Sequence, residues 1–181
     1  QAIVDDVKIE DNKVKITFIP TTIPIDFRRD LYDKKSHGMR HIYLGKITLE
    51  IGGAGQLEVF SDVPTATKNA HPHSNDCNHP CLGTGDGPNT IHKLIGERKF
   101  SDLVYVFWMW IKRWRTEDCY VKPWDFYDDR LRQGLPIFDE DGNRIEINDK
   151  DREKTGEQIQ LKKADNWSSN QAKYKDFKLT K

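Results

Sequence analysis

Over the first sixty residues apolar and polar positions alternate. In VDDVKIEDNKVKITFIP, Val7 and Ile9, then Val14, Ile16 and Phe18, stand at every second residue, with Asp11-Asn12 between the two sets. A period of two puts such side chains on one face of an extended strand, so the stretch predicts an antiparallel hairpin turning at Asp11-Asn12. The charged stretch IDFRRDLYDKKSHGM follows and is expected to be an exposed connection. RHIYLGKITLEIGGAGQLEVF then restores the alternation, with Ile47, Leu49 and Ile51 before a glycine-rich turn and Leu57 and Val59 after it. The expected product is an antiparallel β-meander of about four strands with one polar face.

From Ser61 to Asn89 the periodicity stops. Pro64, Pro72, Pro80 and Pro88 are mixed there with Gly83, Gly85 and Gly87, so the stretch predicts a long irregular loop. Loops of this length are uncommon unless functional or disordered. Helical spacing returns in NTIHKLIGERKF, where Asn89 or Thr90 is the expected cap and Ile91, Leu94 and Ile95 the buried stripe. SDLVYVFWMWIKRW predicts a second helix. Ser101 caps it, Asp102 complements its dipole, and Lys112, Arg113 and Arg115 lie near its C-terminal end. Leu103, Phe107, Trp110, Ile111 and Trp114 share one face, and Val104, Trp108 and Met109 extend the apolar surface nearly all round, as expected of a central helix. An aromatic ligand box is the lesser reading of that stripe; core packing is the ordinary one.

CYVKPWDFYDD is expected to be a short extended piece closing the domain, and FDEDGNRIEI a compact hairpin turning near Gly142. Counting from Asp139 or Asp141 puts neither glycine at the sixth place nor glutamate at the twelfth, so a calcium loop is not expected. Beyond Ile147 the chain is polar, with Trp167, Tyr174 and Phe177 far apart. Such a segment is expected to take order from packing on a neighbour. The expected organisation is an α+β domain over residues 1–134, in which the long loop is followed by two helices, and a hairpin with a polar C-terminal extension over 135–181.

Composition narrows the function classes. The chain of 181 residues has 29 basic and 29 acidic side chains, without the basic excess of a nucleic-acid binder. Mean hydropathy is −0.79, and no apolar run reaches the ~18 residues that span a bilayer. No charged-then-apolar leader pattern opens the chain. Three cysteines, an odd number, fit a reducing compartment better than a disulfide framework, so the cytoplasm is the expected location. No nucleic acid and no membrane are expected as partners.

Candidate chemistry concentrates in HPHSNDCNHPC, His71 to Cys81. Zinc takes four His, Cys or carboxylate ligands, commonly as two short-spaced pairs. A set of His71, His73, Cys77 and Cys81, completed if need be by Cys119 or His92, would instead come largely from one short segment that lacks a C-x-x-C knuckle. A nucleophile needs a stabilised thiolate at a supported, accessible position. Cys81 precedes a glycine-rich run leading into a helix N-terminus, where backbone N–H groups favour negative charge. His73, Asn75, Asn78, His79 and Asp86 are the polar groups nearby. The plain alternative makes Cys81 a small buried hydrophobe and the histidines loop-bonding groups. Local chemistry leaves the last two readings level.

Element order adds a further pointer. An antiparallel meander, a loop with His71-Pro72-His73, a cysteine eight residues beyond the tripeptide, then Leu82 and helices resemble the ubiquitin-conjugating (E2)-like superfamily, in particular its prokaryotic branch. The resemblance covers roughly Val14 to Trp124. It implies the E2/RWD fold and a thioester on Cys81 with a ubiquitin-like modifier, received from an E1-like partner and passed to an amine, with no cofactor. It implies that His71, Pro72, Leu82 and Gly83 shape the loop, and that His73, Asn78 and Asp86 are the polar groups serving Cys81. The chain departs from the family pattern in several places. His73 stands where the family has asparagine, with Asn75 and Asn78 as substitutes. Gly83 stands where eukaryotic members often have aspartate, and Asp86 lies further along. Only Pro64 remains of the usual proline-rich approach, and the N-terminal helix is not evident. Cys77 and His79 are passengers or tuners. Two alternatives accompany the carrier. One is a catalytically silent E2/RWD-like scaffold of phage or bacterial-defence origin, which joins a larger assembly through the C-terminal tail. The other is a zinc-stabilised binding module.

Overall fold

The computed structural model describes residues 2–29, 38–63, 69–83, 86–114, 119–145 and 165–179. The architecture is α+β, with two sheets and four helices among these residues. Two compact units divide the chain, Gln1–Ile23 with Leu44–Lys122, and Pro24–Tyr43 with Pro123–Lys181.

The first unit is built on strands β1 (Val4–Glu10), β2 (Lys13–Phe18), β5 (Ile47–Gly52) and β6 (Leu57–Ser61), in spatial order β1-β2-β5-β6 with antiparallel neighbours. Asp11 and Asn12 form the first turn at φ 51° and 59°, the left-handed pair that a two-residue hairpin with the right twist demands. Ile16, Phe18, Ile47, Leu49, Ile51, Leu57 and Val59 point inward and are buried. The other face carries Lys13 bridged to Glu50 and Glu58, and Lys15 bridged to Glu10 and Glu50. Each such pair is worth well under about 1 kcal/mol, so burial holds the sheet and the charges keep its outer face wet.

Helices α1 (Asp86–Gly96) and α2 (Phe100–Ile111) complete this unit. The first begins earlier than Asn89 or Thr90, because Pro88 fits a first turn whose N–H groups have no helical partner. Only Ile91 of its expected stripe is fully buried, Leu94 and Ile95 being half-buried. The expected Ser101 cap is likewise displaced: Lys99 holds the N-cap position without a side-chain hydrogen bond, and Ser101 lies inside the helix. This second helix is not buried all round. Leu103, Phe107 and Ile111 face the core, and Phe18 stacks on Phe107 and Trp108 at 6.0 and 5.9 Å, while Tyr105 and Met109 are exposed. One sheet face can cover only one helix stripe.

Between β2 and β5 the chain leaves the sheet, and here the expectation of an exposed connection over residues 25–39 is corrected at its two ends, residues 30–37 lying outside the described set. Strand β3 (Thr21–Asp26) runs into a short 3-10 turn at Phe27–Arg29, and β4 (Met39–Gly45) returns; both join a second, three-stranded sheet, in order β3-β4-β7 with β7 at Ile137–Phe138. Ile23, Ile25 and Phe27 are fully buried at a period of two, a signal that the charges following them obscure. Hence the meander is interrupted, and the strands form two sheets.

In the second unit the part of CYVKPWDFYDD from Pro123 on is also corrected, from extended to helix α3 (Pro123–Arg132). Pro123 sits at the first helical position, where its fixed φ helps, with Asp125 in the first turn and Arg130 and Arg132 in the last. Phe27 packs on Trp124 and Tyr127 at 4.2 and 5.5 Å. Arg130 is fully buried, its guanidinium 3.8 Å over the Phe126 ring and its Nη1 donating to Asp129 at 2.9 Å. Burial pushes the Asp128 carboxyl up to about 6, against Arg132 and with help from Asp125. The hairpin expected in FDEDGNRIEI is present over the described residues: Phe138 bridges Arg144, and the Asp139 carboxylate accepts the N–H groups of Asp141 and Asn143.

Among the described residues the two expected helices become four, with α3 and a further helix, α4 (Trp167–Lys173), in the polar tail. The described end of that tail packs on its own unit: Tyr43 meets Tyr174 at 4.9 Å and Phe177 at 4.6 Å, and Asn170 and Gln171 donate to the carbonyls of Gln133 and Gly134. Residues 146–164 lie outside the described set. No helix among the described residues is long and apolar enough to cross a membrane.

Candidate functional site

The segment from His71 to Cys81 is not irregular. His71-Pro72-His73-Ser74 closes as a tight turn, the Ser74 N–H donating to the His71 carbonyl at 2.9 Å. Ser74 Oγ reinforces the turn, donating to that carbonyl at 2.8 Å and accepting the His71 N–H at 3.0 Å. A short hairpin follows: Ser74 bridges Pro80, Asn75 N–H donates to the His79 carbonyl at 3.0 Å, and Cys81 N–H donates to the His73 carbonyl at 2.6 Å. The seven residues between His73 and Cys81 are therefore the two arms and tip of one hairpin. Asn75 organises the tip, its Oδ1 accepting the N–H groups of Cys77 at 3.0 Å and His79 at 2.8 Å. Asn78 takes the left-handed position at φ 66°, which asparagine tolerates.

Three neighbours clamp the hairpin. The carbonyls of Asn78 and Leu57 link it to β6, one accepting the Val59 N–H at 2.8 Å, the other lying 3.2 Å from His79 Nδ1. The Pro72 carbonyl accepts the N–H groups of Tyr120 and Val121 at 3.0 and 3.3 Å. From α2, Trp110 Nε1 donates to the Cys81 carbonyl at 2.8 Å. His71 makes the second link to α2. Its Nδ1 accepts the His73 N–H at 3.1 Å, which puts the ring proton on Nε2, 3.1 Å from the Ile111 carbonyl. With no exposed surface and its ring 4.3 Å from Trp110, His71 is a structural pin. Just beyond Ile111, the Lys112 ammonium donates to Thr21 Oγ1 and the Thr22 carbonyl, and burial holds its pKa below the ordinary lysine range.

Of the residues singled out around Cys81, the fold joins His73 to it through the backbone, while the His73 ring is buried with Trp114 5.4 Å away. Cys81 and Leu82 are half-buried. Gly83 is exposed at φ +82°, a conformation L side chains rarely adopt. Asn78 is held at the tip by its contact with β6, and Asp86 is exposed at the start of α1. The zinc set is not gathered: both His71 ring nitrogens are engaged and Cys77 is exposed. Among the described residues no group of three or more His, Cys, Asp or Glu is placed to hold a metal ion.

The residues that position the loop include several that spacing alone does not flag: Ser74, Asn69, whose side-chain amide donates to the Ser74 carbonyl, and Trp110. Trp110 carried a signal nonetheless, since an indole N–H on a buried helix face needs an acceptor. Chemically, the arrangement is a half-buried thiol whose own N–H and C=O are both fixed, at the mouth of a pinned hairpin. Comparison with known proteins finds no family model, no curated protein and no solved structure that matches this chain.

Proposed function

We propose that the chain is an acyl carrier of the E2-like kind, with Cys81 the nucleophile. The observation that carries this reading is the Cys81–His73 backbone pair within a hairpin pinned by His71. It fits a loop in which the tripeptide shapes and the cysteine reacts. A thiolate at Cys81 would attack the thioester carbonyl of an activated modifier and expel the donor's thiolate. An amine would then attack the new thioester, form an amide, lose a proton and release the Cys81 thiolate. A thiol held at one place favours such transfer because part of the orientational entropy is already lost.

A silent module of the same build has one observation in its favour: His73, in the place of the family's asparagine, is buried beside Trp114 and so serves packing. Incubation with a ubiquitin-like modifier activated as its C-terminal thioester separates the two. The carrier gives an adduct that dithiothreitol reverses, retained in Cys77→Ser and Cys119→Ser and lost in Cys81→Ser. No thiol-sensitive adduct from any activated modifier would leave the silent module standing.

A further inference from the structure

β1 is the open edge of the four-stranded sheet. Its residues from Asp5 to Glu10 are all exposed, Val7 by 55% and Ile9 by 81%. Val7 pairs with Ile16 and Ile9 with Val14, so both lie on the core-facing side of the sheet, yet Ile16 is only 2% exposed. The apolar face thus continues past the covered core onto a strand that none of the described residues covers. Natural edges of this kind are blunted by proline, by charge or by brevity. Here the devices are a bulge between Val4 and Asp6 and charge, Lys8 being the one lysine beside the acids Asp5, Asp6 and Glu10.

Lys8 is itself poorly placed within the protomer. It stands directly opposite Lys15, and Lys15 is already bound to Glu10 and Glu50 at 2.8 and 3.3 Å. Like charges facing each other across a strand pair are destabilising. The acid Lys8 does reach is Asp6 on its own strand, at 3.3 Å. An acidic residue arriving on the open side would complete the pattern.

We propose that β1 pairs antiparallel with β1 of a second copy, about a two-fold axis at Val7, to make one sheet through both protomers. Val7 is the midpoint of Val4–Glu10, so this axis engages the whole strand. It sets Val7 against Val7 of the second copy, and it sets Lys8 against Asp6 of the second copy twice, once from each side. An axis at Lys8 would oppose lysine to lysine and Asp6 to Glu10, and an axis at Ile9 would run Val7 into the Asp11 turn. Strand charge therefore selects both the occupant and the register, as an isologous contact requires. An edge of this length buries less than the ~1,200 Å² of a stable interface, so the dimer is a weak one, with a dissociation constant on the order of 10 to 100 µM.

Sedimentation equilibrium of the full chain from about 1 µM to about 1 mM tests the pairing. The expected result is a monomer–dimer equilibrium in that range. Lys8→Glu faces Lys15 favourably within the protomer, so it keeps the fold, but it opposes acid to acid across the axis. It should weaken association by about tenfold or more. The exchanged pair Asp6→Lys with Lys8→Glu restores complementarity and should return the constant to within about threefold of the parent. A monomer throughout the range would overturn the proposal. So would a dimer indifferent to Lys8→Glu, or an exchanged pair that folds by circular dichroism and stays weak. None of these outcomes depends on Cys81.

Discussion

Replacing His71 with phenylalanine separates a structural histidine from a reactive one. The substitution keeps a ring of similar size against Trp110 and removes both nitrogens. It orphans the His73 N–H, now accepted at 3.1 Å, and the Ile111 carbonyl, now 3.1 Å from Nε2. A buried polar group left unsatisfied costs about 1–3 kcal/mol, so the pair predicts a loss of about 2–6 kcal/mol, a large share of the roughly 5–15 kcal/mol of a typical domain. His71→Asn is the graded control. Its Oδ1 stands near the place of Nδ1 and can accept the His73 N–H, but it cannot span to Ile111, so about half the loss is expected. Urea unfolding followed by far-ultraviolet circular dichroism, with the m-value held constant, gives both numbers. A His71→Phe chain within about 0.5 kcal/mol of the parent would refute the pin, because a histidine kept only to react or to bind metal leaves stability almost untouched when replaced isosterically.

Two other substitutions test the unit cores. Asp128 has its carboxyl raised by burial to about 6, above the ~3.9 of an unfolded chain. Between those values the folded state holds more protons than the unfolded one. Its contribution to stability is therefore largest below about 4 and falls as pH rises through about 6. Asp128→Asn should stabilise the chain at pH 7 and flatten the urea midpoint between about pH 4 and 6; an unchanged pH profile would contradict the burial. Gly45 sits at φ +77°, where an added Cβ would fall 2.2 Å from Asp62 Oδ1 and 2.4 Å from Val63 Cγ2. Gly45→Ala should cost about 2–4 kcal/mol and lower the thermal midpoint, and a neutral effect would show that the Asp62 carboxylate, which now accepts the Lys46 N–H, is not held there.

What was legible in the chain is what local physics decides. Asp11-Asn12 between two alternating runs is a hairpin wherever it occurs, because two left-handed residues are what a tight turn needs. Ile47, Leu49 and Ile51 against Leu57 and Val59 pair for the same reason. The helix around Leu103, Phe107 and Ile111 follows from spacing alone. Pro123 with Asp125 behind it was equally local, a start signal obscured by the prolines and aromatics around it. Other features had no signature in local spacing alone. Ile23, Ile25 and Phe27 alternate as a strand does, but the second sheet they join is completed by Met39–Gly45 and, beyond it, Ile137–Phe138, which lies far along the chain. The tail helix, too polar to bury itself, is held to the carbonyls of Gln133 and Gly134, and Tyr174 and Phe177 just beyond it find Tyr43.

The loop divides the same way. HPHSNDCNHPC announced its chemistry by residue type, and the interval from His73 to Cys81 was visible as a count. That the interval is a hairpin, that His71 has spent both nitrogens on the backbone, and that Trp110 holds the Cys81 carbonyl were decided by tertiary structure. Hydrogen bonds to main-chain carbonyls leave no mark on the identity of the residue that offers them. Composition therefore determined which groups are available, and packing determined which of them are already engaged.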